Sequence, residues 1–197
     1  IGDGDEDQWG GSLVCHRMLF NADGTIDLKL PDGIDKKFTT LKKTVLIDKS
    51  GKAVKKEDSY VLSDVASVSF PRLDKTCKIE ATVKATGNDD AFGFAFGACD
   101  DKTEVYSIRF DLKNKQLVMS KDDLTRGTTP TQTNVALTVP ADKLFKVKIV
   151  AEKSVCVMYV NDKIAFSNRI DKMPKNPWAI FTDKGTEISF SDIKVYE

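Results

Sequence analysis

The sequence holds a single histidine, His16, and that scarcity closes off much side-chain chemistry. Any Ser-His-Asp or Cys-His arrangement has to run through His16. Its neighbour Cys15 would point to the opposite face of a strand, so a hydrolase triad is not expected. The four cysteines, Cys15, Cys77, Cys99 and Cys156, stand far apart with no C-x-x-C pair, which argues against a zinc site. Cys77 and Cys156 fall inside alternating apolar runs and read as small buried hydrophobes, while a disulfide between some pair stays open. An excess of one charge is missing too, since 30 Lys+Arg balance 30 Asp+Glu. There is no basic stripe to hold nucleic acid, and a neutral partner such as a sugar suits this surface better. No stretch approaches the ~20 apolar residues of a membrane-spanning helix. No signal-peptide pattern is seen either, although a removed signal leaves no trace.

The helical period is also nearly absent, and what replaces it is a period of two. In Cys77, Ile79, Ala81 and Val83 the apolar residues alternate with Lys78, Glu80, Thr82 and Lys84, a strand with one wet face. Phe92, Phe94 and Phe96 alternate with Gly93, Ala95 and Gly97, so one face is aromatic and the other nearly bare, which suggests close approach by a neighbour. Further strands are expected at Val45–Ile47, Tyr60–Leu62, Val65–Phe70, Val105–Phe110, Gln116–Met119, Val135–Val139, Phe145–Val150, Val155–Val160, Ile164–Phe166, Trp178–Thr182 and Ile188–Tyr196. Turn residues such as Asp48-Lys49-Ser50-Gly51, Lys113-Asn114-Lys115 and Asn161-Asp162 separate them. Ahead of these, two runs flank Asn21-Ala22-Asp23-Gly24 and read as a hairpin closed by Pro31-Asp32-Gly33. The polar stretch from Asp35 to Lys43 reads as connector. The 197 residues, 41% hydrophobic and 30% charged, suffice for one sizeable core. About a dozen short antiparallel strands call for two packed sheets. The expected fold is therefore all-β, a jelly-roll (concanavalin-like) sandwich over 44–197, with an N-terminal tail, β-hairpin and connector over 1–43.

Several constellations carry possible chemistry. The acidic doublets Asp89-Asp90, Asp100-Asp101 and Asp122-Asp123 sit between expected strands, where Asp favours turns by bonding its own backbone. Asp3-Gly4-Asp5-Glu6-Asp7 is the densest set of hard oxygen ligands and the one place suited to calcium, though it lacks the spacing of an EF-hand loop. No other cofactor or metal site is expected. A sugar site needs a flat ring flanked by groups that bond hydroxyls. Trp178, Tyr106, Arg109 and Asp183 are the candidates, with a core role for Trp178 the competing and stronger reading.

The run Phe145-Lys-Val-Lys-Ile-Val-Ala-Glu-Lys-Ser-Val-Cys-Val-Met-Tyr-Val-Asn161-Asp162, followed by Ser167-Asn168-Arg169-Ile170, resembles the C-terminal sandwich of glycoside hydrolase family 32. That family comprises the fructan-cleaving levanases, inulinases and invertases. There a strand, an acid-Ser turn, a second strand and an Asn-Asp-Gly turn follow in this order. Here Glu152 stands for the usual Asp, Val157 for a frequent Glu and Lys163 for Gly. At the other end, Gln8-Trp9-Gly10-Gly11-Ser12-Leu13-Val14 and Asn21-Ala22-Asp23-Gly24-Thr25 resemble the exit of that family's catalytic propeller, with Arg17 in keeping.

The resemblance implies a secreted, periplasmic or cell-surface protein and a catalytic propeller as partner, contacted through Trp9, His16 and Arg17. The family's catalytic strings, Asn-Asp-Pro-Asn, Arg-Asp-Pro and Glu-Cys, do not occur here. The expected function is thus a non-catalytic accessory sandwich that steadies or orients the catalytic domain. The alternative is an independent carbohydrate-binding module recognising a polysaccharide such as fructan. A complete enzyme would need two carboxylates converging in one cleft.

Overall fold

A computed structural model gives the fold and describes residues 14–73, 76–97, 104–123, 131–152, 155–169 and 177–197. The N-terminal hairpin forms as expected from β1 (Arg17–Phe20) and β2 (Ile26–Lys29), with Arg17 opposite Lys29 and Phe20 opposite Ile26. Its turn rests on Gly24 at φ +84° and on the Asp23 carboxylate, which accepts the Thr25 amide at 3.0 Å. Pro31-Asp32-Gly33 does not simply close the hairpin. Pro31 leads into one helical turn, α1 (Asp32–Asp35). The connector is not free chain either, since it supplies β3 (Leu41–Lys42), which pairs with the last strand of the protein, β15 (Ile188–Tyr196).

The next stretch reverses an expectation. Val45–Ile47 forms no strand, while Asp48-Lys49-Ser50-Gly51, expected as a turn, begins β4 (Asp48–Lys56). The reason lies in its neighbour. Tyr60–Leu62 and Val65–Phe70 are one continuous strand, β5 (Ser59–Phe70), and β4 pairs along its whole length as an edge strand. An edge strand facing water does not need an apolar alternation, and charged residues there discourage pairing with other chains.

The remaining strands are β6 (Cys77–Ala85), β7 (Ala91–Gly97), β8 (Glu104–Asp111), β9 (Gln116–Asp123), β10 (Thr131–Ala136), β11 (Leu144–Glu152), β12 (Val155–Val160), β13 (Ile164–Arg169) and β14 (Trp178–Lys184). All pair antiparallel, in the order β10-β9-β8-β7-β14-β5-β15-β6-β11-β12-β13. The order folds over at β5. Its second half, Ala66–Phe70, pairs with β14, and its first half, Ser59–Leu62, pairs with β15. Asp64, at φ +55°, marks the bend between them.

Two layers result, and phenylalanine rings join them. Phe92 of β7 and Phe110 of β8 stack at 5.0 Å and meet Phe145 of β11 at 6.0 and 5.2 Å. Phe92 and Phe94 reach Phe190 of β15 edge-on at 6.2 and 5.9 Å. These rings are essentially unexposed, and burying one contributes about 1.5–3 kcal/mol. Trp178 belongs to the same core. It is 1% exposed and stacks on Phe70 at 4.5 Å.

Cys77 and Cys156 are buried and free, and burial pushes both thiols up to about 12. Each lies opposite Ala151, on the strands either side of β11. Two strand spacings put them about 10 Å apart, beyond disulfide reach. Cys15 is also free, and Cys99 lies outside the described residues.

The connector is clamped from below by a charge that is itself buried. Lys78, 6% exposed, bonds Asp35 of α1 and pairs with Glu80 at 2.9 Å, with the Tyr196 ring 4.7 Å from its ammonium. Lys148 adds a second cation 3.4 Å from Asp35. Partial burial pushes the Asp35 carboxyl up, but the bond from Lys78 and the two nearby cations outweigh it and hold the carboxyl below its ordinary value. A carboxyl so held stabilises the fold above its unfolded value and ceases to do so as pH falls through its folded one. Asp35→Asn should therefore cost about 1–3 kcal/mol at neutral pH and flatten the loss of stability below about pH 4, as read from urea unfolding across pH. Trp178→Ala should cost about 3–5 kcal/mol in the same measurement.

Candidate functional site

Strand parity decides which residues can meet a ligand. Across β8, β7, β14 and β5 one row runs Tyr106, Phe96, Trp178, Phe70, all facing the core. The parallel row three residues along runs Arg109, Gly93, Phe181, Ser67, and it faces outward. The four residues singled out as a sugar site are thus split by the sheet. Tyr106 and Trp178, 2% and 1% exposed, present no ring face to a ligand. Arg109 and Asp183 stay together on the open side, with Arg109 Nη1 3.4 Å from Asp183 Oδ2.

The bare face of β7 has its explanation here. A Cβ on Gly93 would stand 2.0 Å from the Ile108 carbonyl oxygen, so only glycine lets β8 approach so closely. In the outward row Gly93 stands between Arg109 and Phe181. Phe181, partly buried on β14, is the aromatic that the sequence did not bring forward. Its signal was parity, since Trp178 inside puts residues 179, 181 and 183 outside.

Asp183 also lines a cleft of about 1060 Å³ at one end of the sandwich. Three segments build it, namely the β6–β7 loop with Gly87, Asn88 and Asp89, the β14–β15 loop with Lys184, Gly185 and Thr186, and the β5 bend with Ser63, Asp64 and Val65. Asp90, 3% exposed, ties two of them together, its carboxylate accepting the Gly87 amide at 2.7 Å and the Thr186 amide at 3.1 Å. The Asp64 amide donates to the Gly185 carbonyl at 2.9 Å and fastens the third. Each open carboxylate of the cleft faces a cation. Asp64 has Lys52 at 2.6 Å, Asp89 has Lys184 at 4.0 Å and Asp183 has Arg109. Such neighbouring acceptors and donors are suited to bonding hydroxyl groups.

Of the acidic doublets, Asp89-Asp90 does organise a loop, whereas Asp122-Asp123 falls within β9 rather than between strands. Asp100-Asp101 and the acidic run Asp3–Asp7 lie outside the described residues. Among the described residues no three His, Cys, Asp or Glu side chains converge to hold a metal ion. No described helix is long and apolar enough to cross a membrane.

At the N-terminus, Trp9 lies outside the described residues. His16 and Arg17 turn to their own chain. The His16 ring lies 3.1 Å from the Tyr159 hydroxyl through Nδ1 and 3.2 Å from the Ser167 hydroxyl through Nε2, and burial lowers its pKa. Arg17 is paired with Asp32. What the hairpin offers to the outside is apolar, with Met18 50%, Phe20 77% and Ile26 44% exposed.

No curated protein matches the chain by sequence. Among solved structures, a fructosyltransferase from A. japonicus aligns over 93% of this chain and 31% of its own, with 14% identity and a TM-score of 0.66. The Aspergillus kawachii beta-fructofuranosidase complexed with glycerol aligns over 88% and 30%, with 15% identity and a TM-score of 0.66. The carbohydrate binding module CBM66 from Bacillus subtilis aligns over 81% of this chain and 99% of its own, with 11% identity and a TM-score of 0.60. The chain thus spans about a third of the first two proteins and nearly all of the third, and at these identities the likeness is one of fold. The family model described as GH32, BT1760-like, C-terminal domain matches residues 24–195. That match runs from the hairpin turn to the last strand, so this chain belongs to the GH32, BT1760-like, C-terminal domain family.

Proposed function

We propose that this non-catalytic sandwich steadies and orients the catalytic domain of a fructan-acting glycoside hydrolase, and that the β1–β2 hairpin is its seat. Membership of a GH32 C-terminal domain family supports a catalytic partner, as does the third of each fungal enzyme that the chain matches. An extracytoplasmic location is proposed with it, on the family alone.

The observation that carries the seat is the hairpin's exposed apolar face. Met18 lies opposite Leu28 and Phe20 opposite Ile26, so the four share one side of a two-stranded ribbon. A lone ribbon is marginal in water. This one is held to the sandwich by the Leu28 amide, which donates to the Lys163 carbonyl at 2.9 Å, and by Leu30 packing on Val157 and Tyr159. Its root is fixed while its tip stays uncovered. A contiguous apolar patch on a fixed element is what a domain interface needs.

The double substitution Met18→Ser with Phe20→Ser removes two exposed side chains and should leave the melting temperature of the chain unchanged. Binding of the chain to the separately produced catalytic region should weaken about tenfold or more, measured by titration calorimetry. Equal affinity of the double variant and the parent chain would remove the hairpin from the interface.

A further inference from the structure

We propose that the cleft between the β6–β7 loop, the β14–β15 loop and the β5 bend is a binding site for a neutral saccharide, with Asp183, Lys52 and Asn88 among its contacts. This site shares no residue with the hairpin seat and does not depend on it.

The cleft is built rather than incidental. Asp90 is buried to hold two of its walls by their backbone amides, and the Asp64 amide holds the third. Two glycines are required by the closeness of the packing. A Cβ on Gly87 would meet the Asp90 carboxylate at 2.3 Å, and one on Gly185 would meet the Thr182 hydroxyl at 2.6 Å. A preformed cleft loses little entropy on binding. Its volume of about 1060 Å³ stands at the top of the ~300–1,000 Å³ range of small-ligand pockets, room enough for more than one sugar ring.

The lining chooses the occupant. The open acids Asp64, Asp89 and Asp183 are matched one for one by Lys52, Lys184 and Arg109. A phosphate or sulfate would meet a carboxylate at every wall. A divalent cation would meet an ammonium or guanidinium beside each carboxylate, and no cluster of three metal-ligating side chains is found among the described residues. An apolar ligand would strand these charges and the Asn88, Ser63 and Thr186 groups beside them. A polyol fits, since each of its hydroxyls can donate to a carboxylate and accept from the neighbouring cation. Exposed ion pairs contribute little to stability, so stability alone does not account for three of them converging on one cleft. Beyond Arg109, across Gly93, Phe181 offers the apolar surface against which a sugar ring can lie.

The test is an amide NMR titration of the 197-residue chain with inulin-type and levan-type fructo-oligosaccharides, malto-oligosaccharides, inorganic phosphate and calcium chloride, each separately. The expected result is saturable shifts at Gly87, Asn88, Asp89, Gly185 and Thr186 with at least one neutral oligosaccharide, at a Kd of about 1 mM. Asp183→Asn and Lys52→Gln should each weaken it about tenfold with unchanged melting, while Met18→Ser with Phe20→Ser leaves it intact. Absence of shifts with every saccharide would overturn the proposal, as would shifts at these amides with phosphate or calcium alone. So would saccharide binding that both cleft variants leave unaltered.

Discussion

The bend of β5 is the constraint on which the rest of the structure depends. One twelve-residue strand serves both layers, and it does so by turning at Asp64, whose φ of +55° is costly for a residue with a Cβ. Its partner must turn with it. At Gly51, φ +67°, a Cβ would stand 2.1 Å from the Val65 carbonyl oxygen, so β4 can follow β5 around the corner only with glycine at that point. Given the corner, Ala66–Phe70 leads into one layer and Ser59–Leu62 into the other, and the phenylalanines of β7 and β8 come to face Phe145 and Phe190. The same bend leaves Ser63, Asp64 and Val65 standing out as a wall of the cleft. Fold and candidate site share one strained point, which is where irregular backbone tends to gather.

The layers assign opposite duties to the two faces of one sheet. Inward positions of β7, β8 and β14 carry large rings and aliphatic chains, with Thr182 the polar exception, and they meet Phe70, Phe145 and Phe190 from the neighbouring strands in one core. Outward positions carry Gly93, Ala95, Ser107 and Ala179, a low surface from which only Arg109, Phe181 and a few others rise. A sheet that carried large groups on both faces would have to be covered on both. This one stays open on the outer side, and its few tall side chains stand clear beside the cleft.

The N-terminal part is held by different forces. Its apolar attachment is small, Leu30 with Val157 and Tyr159 and four partly buried neighbours, so much of the grip on α1 and β3 is electrostatic and backbone in kind. Lys78 is buried under the connector yet kept charged by Asp35 and Glu80, an arrangement that is costly to break because the remaining charge would be stranded. Through it the connector behaves as part of the sandwich. The hairpin ahead of it rests on a fixed base with its apolar face uncovered.

Alternation of two in Cys77–Val83, in Phe92–Gly97 and in Phe145–Val160 was enough to establish strands, the parity of their side chains and the all-β class, because a pleated strand sends successive side chains to opposite sides whatever it packs against. Asp23-Gly24 was enough for the hairpin turn, since positive φ is a local property. The order of the last strands and the Gln8–Val14 and Asn21–Thr25 stretches pointed to the family, and the absent catalytic strings set the expectation of a non-catalytic sandwich. Where one strand continues through a bend was not legible. Asp48-Lys49-Ser50-Gly51 has turn composition and becomes a strand because β5 passes beside it, and Asp64 sits mid-strand because two layers need a corner. A core place for Trp178 was the stronger reading of the sequence, but that Tyr106 shares its buried row while Arg109 and Asp183 share the outer face was not legible. Parity within each strand is written in the sequence, but which face is covered, and which loops are tied together by one buried carboxylate at Asp90, depends on partners more than ninety residues away. Only the packed structure brings them into contact.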